Sequence, residues 1–178
     1  MSENKNGKKW LILIVLLSVG IVVCIAVTVW AVFFRPSEGP VLTPDYAPEE
    51  TEPNAEPVTG DGSKLDVPSG GGGISIEYAS VVNIDLSENK ATFRYTHPEK
   101  STQNIVLQIV VKDTVIAQSG LIVPGNQLRE LSLLNGMAGK LSPGTYTDAK
   151  FKILSYSPES GEKAMVDTVA EITVVVKE

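Results

Sequence analysis

The sequence predicts an all-β fold for its C-terminal part, an antiparallel two-sheet sandwich of seven or eight strands. It also predicts one transmembrane α-helix near the N-terminus and a disordered linker between the two. Three observations lead there. Residues 74–178 read as short runs of alternating apolar and polar side chains, broken by turn residues and without a helical period. Residues 36–73 hold seven prolines, seven glycines and eight acids. Leu11–Phe34 is a stretch of 24 residues with no charged side chain.

The apolar stretch comes first in the chain. A helix over residues 11–34 runs about 36 Å, enough to cross about 30 Å of hydrocarbon with a modest tilt. A cleaved secretory signal has an apolar core of about 7–15 residues and a small-x-small cleavage site. Here the core is longer, and Phe33, Phe34, Arg35 and Pro36 follow it. A lipoprotein signal fails because Val23 precedes Cys24 where a small residue is needed. The stretch is therefore read as an uncleaved anchor. Lys5, Lys8 and Lys9 precede it and Arg35 follows, so the positive-inside rule places residues 1–10 in the cytoplasm and the C-terminal domain outside, at the plasma membrane. Trp10 and Trp30 stand near its two ends, where indole rings favour the interface. Gly20, Cys24 and Thr28 fall at i, i+4 and i+8, a small-residue face through which two such helices could self-associate weakly.

Charge is spread unevenly behind the whole-chain value of −6. Residues 36–73 carry eight acids against Lys64 alone, while residues 74–178 carry twelve acids and ten bases. A near-neutral domain without a basic cluster gives no electrostatic footprint for nucleic acid. Cys24 is the single cysteine, so the domain holds no disulfide.

The linker, residues 35–73, has prolines at 36, 40, 44, 48, 53, 57 and 68 and ends in Gly70–Gly73. Proline removes a backbone donor, and eight acids among few apolar residues leave little surface to bury. The expectation is a disordered stalk, reaching at most ~120 Å at about 3.1 Å per residue.

Within 74–178, Ile74, Ile76 and Tyr78 alternate as a half-buried strand, and Val81–Leu86 leads into a turn at Ser87–Lys90. Ala91, Phe93 and Tyr95 form the returning arm of a hairpin. Ile105–Val111 is apolar on both faces and reads as a central strand. Val115–Ser119 and Leu128–Leu134 follow, with Pro124-Gly125 between them. Ala149, Phe151 and Ile153 share a face with which Tyr146 is out of phase, predicting a bulge near Asp148. Ala170, Ile172, Val174 and Val176 close the domain. Many short strands with regular turn signals make an immunoglobulin-like sandwich in the broad sense, with a closed barrel as the alternative.

Residues able to carry chemistry are few. His97 is the single histidine and reads as a solvated loop-tip residue held extended before Pro98. No G-x-S-x-G marks a nucleophile. Asp85-Leu-Ser87-Glu-Asn89 starts like a calcium loop but has Lys90 and Thr96 where that motif needs glycine and glutamate, so a hairpin turn fits better. Tyr146, after Pro143-Gly144, fits a corner tyrosine whose hydroxyl pins a loop. No catalytic, metal or cofactor site is expected.

Ser119-Gly-Leu-Ile-Val-Pro124-Gly125, Leu141-Ser-Pro143-Gly144-Thr-Tyr146 and Ser157-Pro-Glu-Ser-Gly161-Glu162-Lys163 together resemble a group of small uncharacterised surface proteins of Gram-positive bacteria. The resemblance implies one N-terminal anchor, a Pro/acid-rich spacer and an Ig-like domain, and it covers residues 74–178. No LPxTG-type sorting motif is present, so covalent wall attachment is not expected. The reading is a non-enzymatic, single-pass module that contacts the bilayer through residues 11–34. Held off the membrane by its stalk, it would bind a protein or cell-wall partner outside. The rival is a structural subunit of a cell-envelope secretion or conjugation assembly.

Overall fold

The computed structural model describes residues 5–33, 42–58, 65 and 72–178, and the chain divides into two units, Met1–Pro40 and Val41–Glu178. In the first, α1 spans Lys5–Phe33, 29 residues. Leucine, isoleucine and valine without an internal proline sustain it, and Ser18 returns its hydroxyl to the Val15 carbonyl at 2.9 Å. Its described side chains over residues 13–25 are exposed. Those residues make about 20 Å of helix against about 30 Å of hydrocarbon. Among the described residues no helix is long and apolar enough to cross a membrane. Gly20 has open space where a Cβ would stand and Cys24 is exposed, while the side chain of Thr28 lies outside the described residues.

The second unit is all-β, as expected. Its strands are β1 (Glu56–Pro57), β2 (Glu77–Tyr78), β3 (Val81–Asp85), β4 (Lys90–His97), β5 (Asn104–Val111), β6 (Thr114–Gln118), β7 (Asn126–Ser132), β8 (Gly144–Tyr156) and β9 (Thr168–Lys177). One 3-10 turn, Ala138–Lys140, interrupts them. The hydrogen-bonded order is β1-β7-β4-β3-β9-β8-β5-β6, with β2 set against β4. The sheet curls until its far end meets the beginning again: Ala117, in β6, bridges Leu133 just past β7, and the Leu134 amide donates to the Ile116 carbonyl at 2.8 Å.

One pairing corrects the antiparallel expectation. β3 runs parallel to β9, from Val81 opposite Thr173 to Asp85 opposite Lys177. Five strands separate the two in sequence, so no tight turn imposes an antiparallel sense. The half-buried strand expected over Ile74, Ile76 and Tyr78 shrinks to the exposed pair Glu77–Tyr78, with Ile74 and Ile76 packed against the core outside any strand, while the readings of the first hairpin and of the β8 bulge hold. The β3–β4 hairpin turns through Asn89 at φ 55°, and the Asp85 carboxylate accepts from the Ser87 amide, the Ser87 hydroxyl and the Glu88 amide at 2.9, 2.6 and 3.1 Å. The β8–β9 ladder shifts register between Tyr146 and Ala149, the bulge expected near Asp148.

The inward faces supply one core, with Ile84, Tyr95, Leu107, Ile109, Phe151 and Ile153 fully buried and the Phe151 ring tilted against Phe93 at 5.5 Å and edge-on to Tyr95 at 5.8 Å. β5 is buried along seven of its eight residues, as its two apolar faces demanded. Its outward face raises a separate question, because Val106, with Leu154 and Tyr156 of β8, is fully buried on the side away from that core.

The cover is residues 42–58. Expected as part of a disordered stalk, they lie along the sheet as a strap. Tyr46 bridges Glu162, Thr51 bridges Leu121, and β1 pairs with β7 through Glu56–Gln127 and Pro57–Asn126. The composition argument failed because the strap needs no core of its own: it borrows an apolar face that the sheet already presents. The other linker residues, 35–41, 59–64 and 66–71, lie outside the described residues.

Candidate functional site

The strap and the face beneath it hold two of the buried polar side chains of the domain, Glu52 and Gln108, each bonded across to the other element. Ala47 and Leu121 pack over Val106, Leu154 and Tyr156. Backbone bonds stitch the strap at both flanks. The Ala47 amide donates to Gly161 at 2.7 Å and the Lys163 amide to Asp45 at 2.8 Å; the Leu121 amide donates to Glu50 and the Glu52 amide to Leu121, each at 2.9 Å. Two side chains reach up from the sheet. The Tyr156 hydroxyl donates to the Pro44 carbonyl at 3.1 Å, and the Gln108 amide group donates to the Leu42 carbonyl and to Gln118 Oε1.

Glu52 is the deepest strap residue, 7% exposed. Its carboxylate accepts from the Gly120 amide at 2.8 Å through Oε2 and from the Asn54 amide at 3.1 Å through Oε1. Gly120 is required there. A Cβ at that position would stand 2.9 Å from the Glu52 nitrogen and 3.0 Å from the Glu50 oxygen, both backbone atoms.

Beside the strap, Asp167 is held between Lys152 at 3.0 Å and Lys163 at 2.5 Å. Burial pulls its carboxyl upward, but hydrogen bonds and charge from the two lysines outweigh that and leave it below the ordinary value. Burial, with the nearby charges of Asp167 and Asp45, pushes the Tyr156 phenol up to about 12. The same end of the domain carries a cleft of about 850 Å³ between Gly72–Ile74, Thr102 and the 157–168 loop, rimmed by the exposed Met165 and Val166.

His97 corrects the sequence reading. It is fully buried at the end of β4, its Nε2 2.8 Å from the Gln103 carbonyl, because the 98–103 loop folds back over it through a Ser101-to-Pro98 bond of 3.0 Å. Tyr146 behaves as predicted: its hydroxyl donates to the Ser142 carbonyl at 2.9 Å and accepts from the Ser142 amide at 3.1 Å. Among the described residues no group of three or more acids, histidines or cysteines is placed to hold a metal ion. Tyr95 Oη and Gln108 Oε1 are buried without a hydrogen-bond partner among the described residues. The phenol is raised by burial, which leaves it a poor acid.

No family model matches the sequence. No curated protein matches it either. A solved structure that does compare is the crystal structure of AggA, the major subunit of aggregative adherence fimbriae type I from Escherichia coli. It has 12% identity and a TM-score of 0.28 over 64% of this chain and 100% of that one.

Sequence reasoning missed the strap contacts of Glu52, Gly120, Gln108 and Tyr156. One signal pointed to them. Val106 on the second face of β5 needed a cover, and Ala47 of the linker supplies part of it.

Proposed function

We propose that the chain is a non-enzymatic, membrane-anchored surface module. Leu11–Phe34 crosses the bilayer once with its N-terminus inside, and the β domain outside binds a protein or cell-wall partner. The observation that carries this reading is α1, one unbroken helix over nearly all of the charge-free run, with three lysines before that run and one arginine after it. The domain is read as an immunoglobulin-like sandwich in which β3 is shared, paired with β4 on one flank and β9 on the other, so that one curled sheet supplies both layers. The grouping with Gram-positive surface proteins belongs to the same proposal.

Because residues 42–58 lie on the domain, the segment left to link helix and domain is residues 35–41. The test is membrane fractionation with protease protection. The chain should sediment with membranes and resist carbonate extraction, and protease added outside should digest the C-terminal domain. A soluble chain, or a domain protected inside, overturns the reading. Replacing Leu11–Phe34 with an unrelated apolar helix should preserve partner binding; its loss would favour an envelope-assembly subunit whose helix makes specific contacts.

A further inference from the structure

We propose that residues 42–58 are a load-sensitive latch, which tension on the chain before Leu42 unzips from the sheet while the sheet itself stays folded. The load depends on the anchored, partner-binding arrangement proposed above, but the latch is a property of the domain and is testable without a membrane.

Three features of the strap carry this. First, Glu52 is its one buried side chain, and it is polar. Leu42 and Tyr46, its largest apolar side chains, are exposed, while Ala47 and Pro48 are half-buried. The strap is therefore held by hydrogen bonds, each modest on its own, and by the packing of Ala47 over Val106, Leu154 and Tyr156, with no large apolar side chain of its own buried. Second, those bonds lie in series along the chain: Leu42 with Gln108, Pro44 with Tyr156, Asp45 and Ala47 with the 161–163 loop, Glu50 and Glu52 with 120–121, and last β1 with β7. Load arriving at Leu42 meets them one at a time, so each bond breaks alone. Third, what lies beneath is far better held. β5 and β8 face each other through eight consecutive pairs, from Asn104–Tyr156 to Val111–Ala149, over a continuous core. A pull that clears the strap leaves that ladder intact and bares Val106, Leu154 and Tyr156, which are fully covered at rest.

The experiment is optical-tweezers pulling on the full chain in detergent. Handles are joined at positions 41 and 178 through azide-bearing residues coupled by cycloaddition, which leaves thiols untouched, with Cys24→Ala. The expected trace has a first, low-force step whose length is the contour of the 17 strap residues, about 60 Å at about 3.5 Å per residue, less the distance the docked strap already spans. A separate higher-force rip of the sheet follows. Adding Tyr46→Cys and Glu162→Cys joins positions that face each other in an antiparallel bridge, a spacing that suits a disulfide. With handles attached before oxidation, the first step should vanish and return on reduction. A single rip at every loading rate overturns the latch, as does a first step that survives the crosslink. A chain that yields both steps yet fails to sediment with membranes would overturn the anchoring proposal and leave the latch standing.

Discussion

Gly120→Ala isolates the strap. The new Cβ would sit 2.9 Å from the Glu52 nitrogen and 3.0 Å from the Glu50 oxygen, distances that backbone atoms cannot yield without moving the strap. Displacing it there breaks three bonds: Gly120 to the Glu52 carboxylate at 2.8 Å, Glu52 to Leu121 at 2.9 Å and Leu121 to Glu50 at 2.9 Å. Neutral bonds contribute about 1 kcal/mol each and a bond to a charged group about 1.5–3 kcal/mol. Against that stands a gain of about 0.4–1 kcal/mol from stiffening the unfolded chain. The expected loss is about 2.5–4.5 kcal/mol in urea denaturation followed by circular dichroism. Faster exchange of the Glu52 and Leu121 amides should accompany it, with β5 and β8 still protected. Gly139→Ala, where a Cβ meets nothing within 4 Å, should not lose stability and should gain about 0.4–1 kcal/mol from the stiffer unfolded chain. A Gly120→Ala variant as stable as that control would refute the argument that the strap is packed against this residue.

Other perturbations report on the same face. Leu154→Ala empties a fully buried position beneath the strap and should cost about 2–4 kcal/mol by the same assay. Tyr156 has its folded pKa raised to about 12 from an unfolded value near 10. Its stabilisation is therefore whole below pH about 10 and lost as pH rises towards 12. Tyr156→Phe should flatten that alkaline limb in a pH series of urea midpoints, and should cost about 1 kcal/mol at neutral pH through the bond to Pro44. Asp167 works in the opposite direction. Its folded pKa is depressed, so its contribution is present above the unfolded value of about 3.9 and lost as pH falls through the folded one. Asp167→Asn should lower stability at pH 7 by about 1 kcal/mol and remove part of the acid limb. An unchanged acid limb would show that the Lys152–Asp167–Lys163 cluster adds nothing to folding.

How much was legible in the sequence follows from which interactions are local. Alternation on β4 and β9, the Asp85 turn, the bulge before Ala149 and the pinned Tyr146 each depend on residues a few positions apart, and each was readable. The charge-free run marked α1 for the same reason. Tertiary structure decided what depends on distant partners. The β3–β9 pairing is parallel because the two strands meet across the whole domain, beyond the reach of any turn signal. His97 is buried because the 98–103 loop closes over it, although its neighbours read as a loop tip. Above all, residues 42–58 carry the composition of a disordered spacer and are ordered all the same. They have too little apolar surface to fold alone, but the second face of β5 and β8 supplies it, and Glu52 finds its partner at Gly120, 68 residues away.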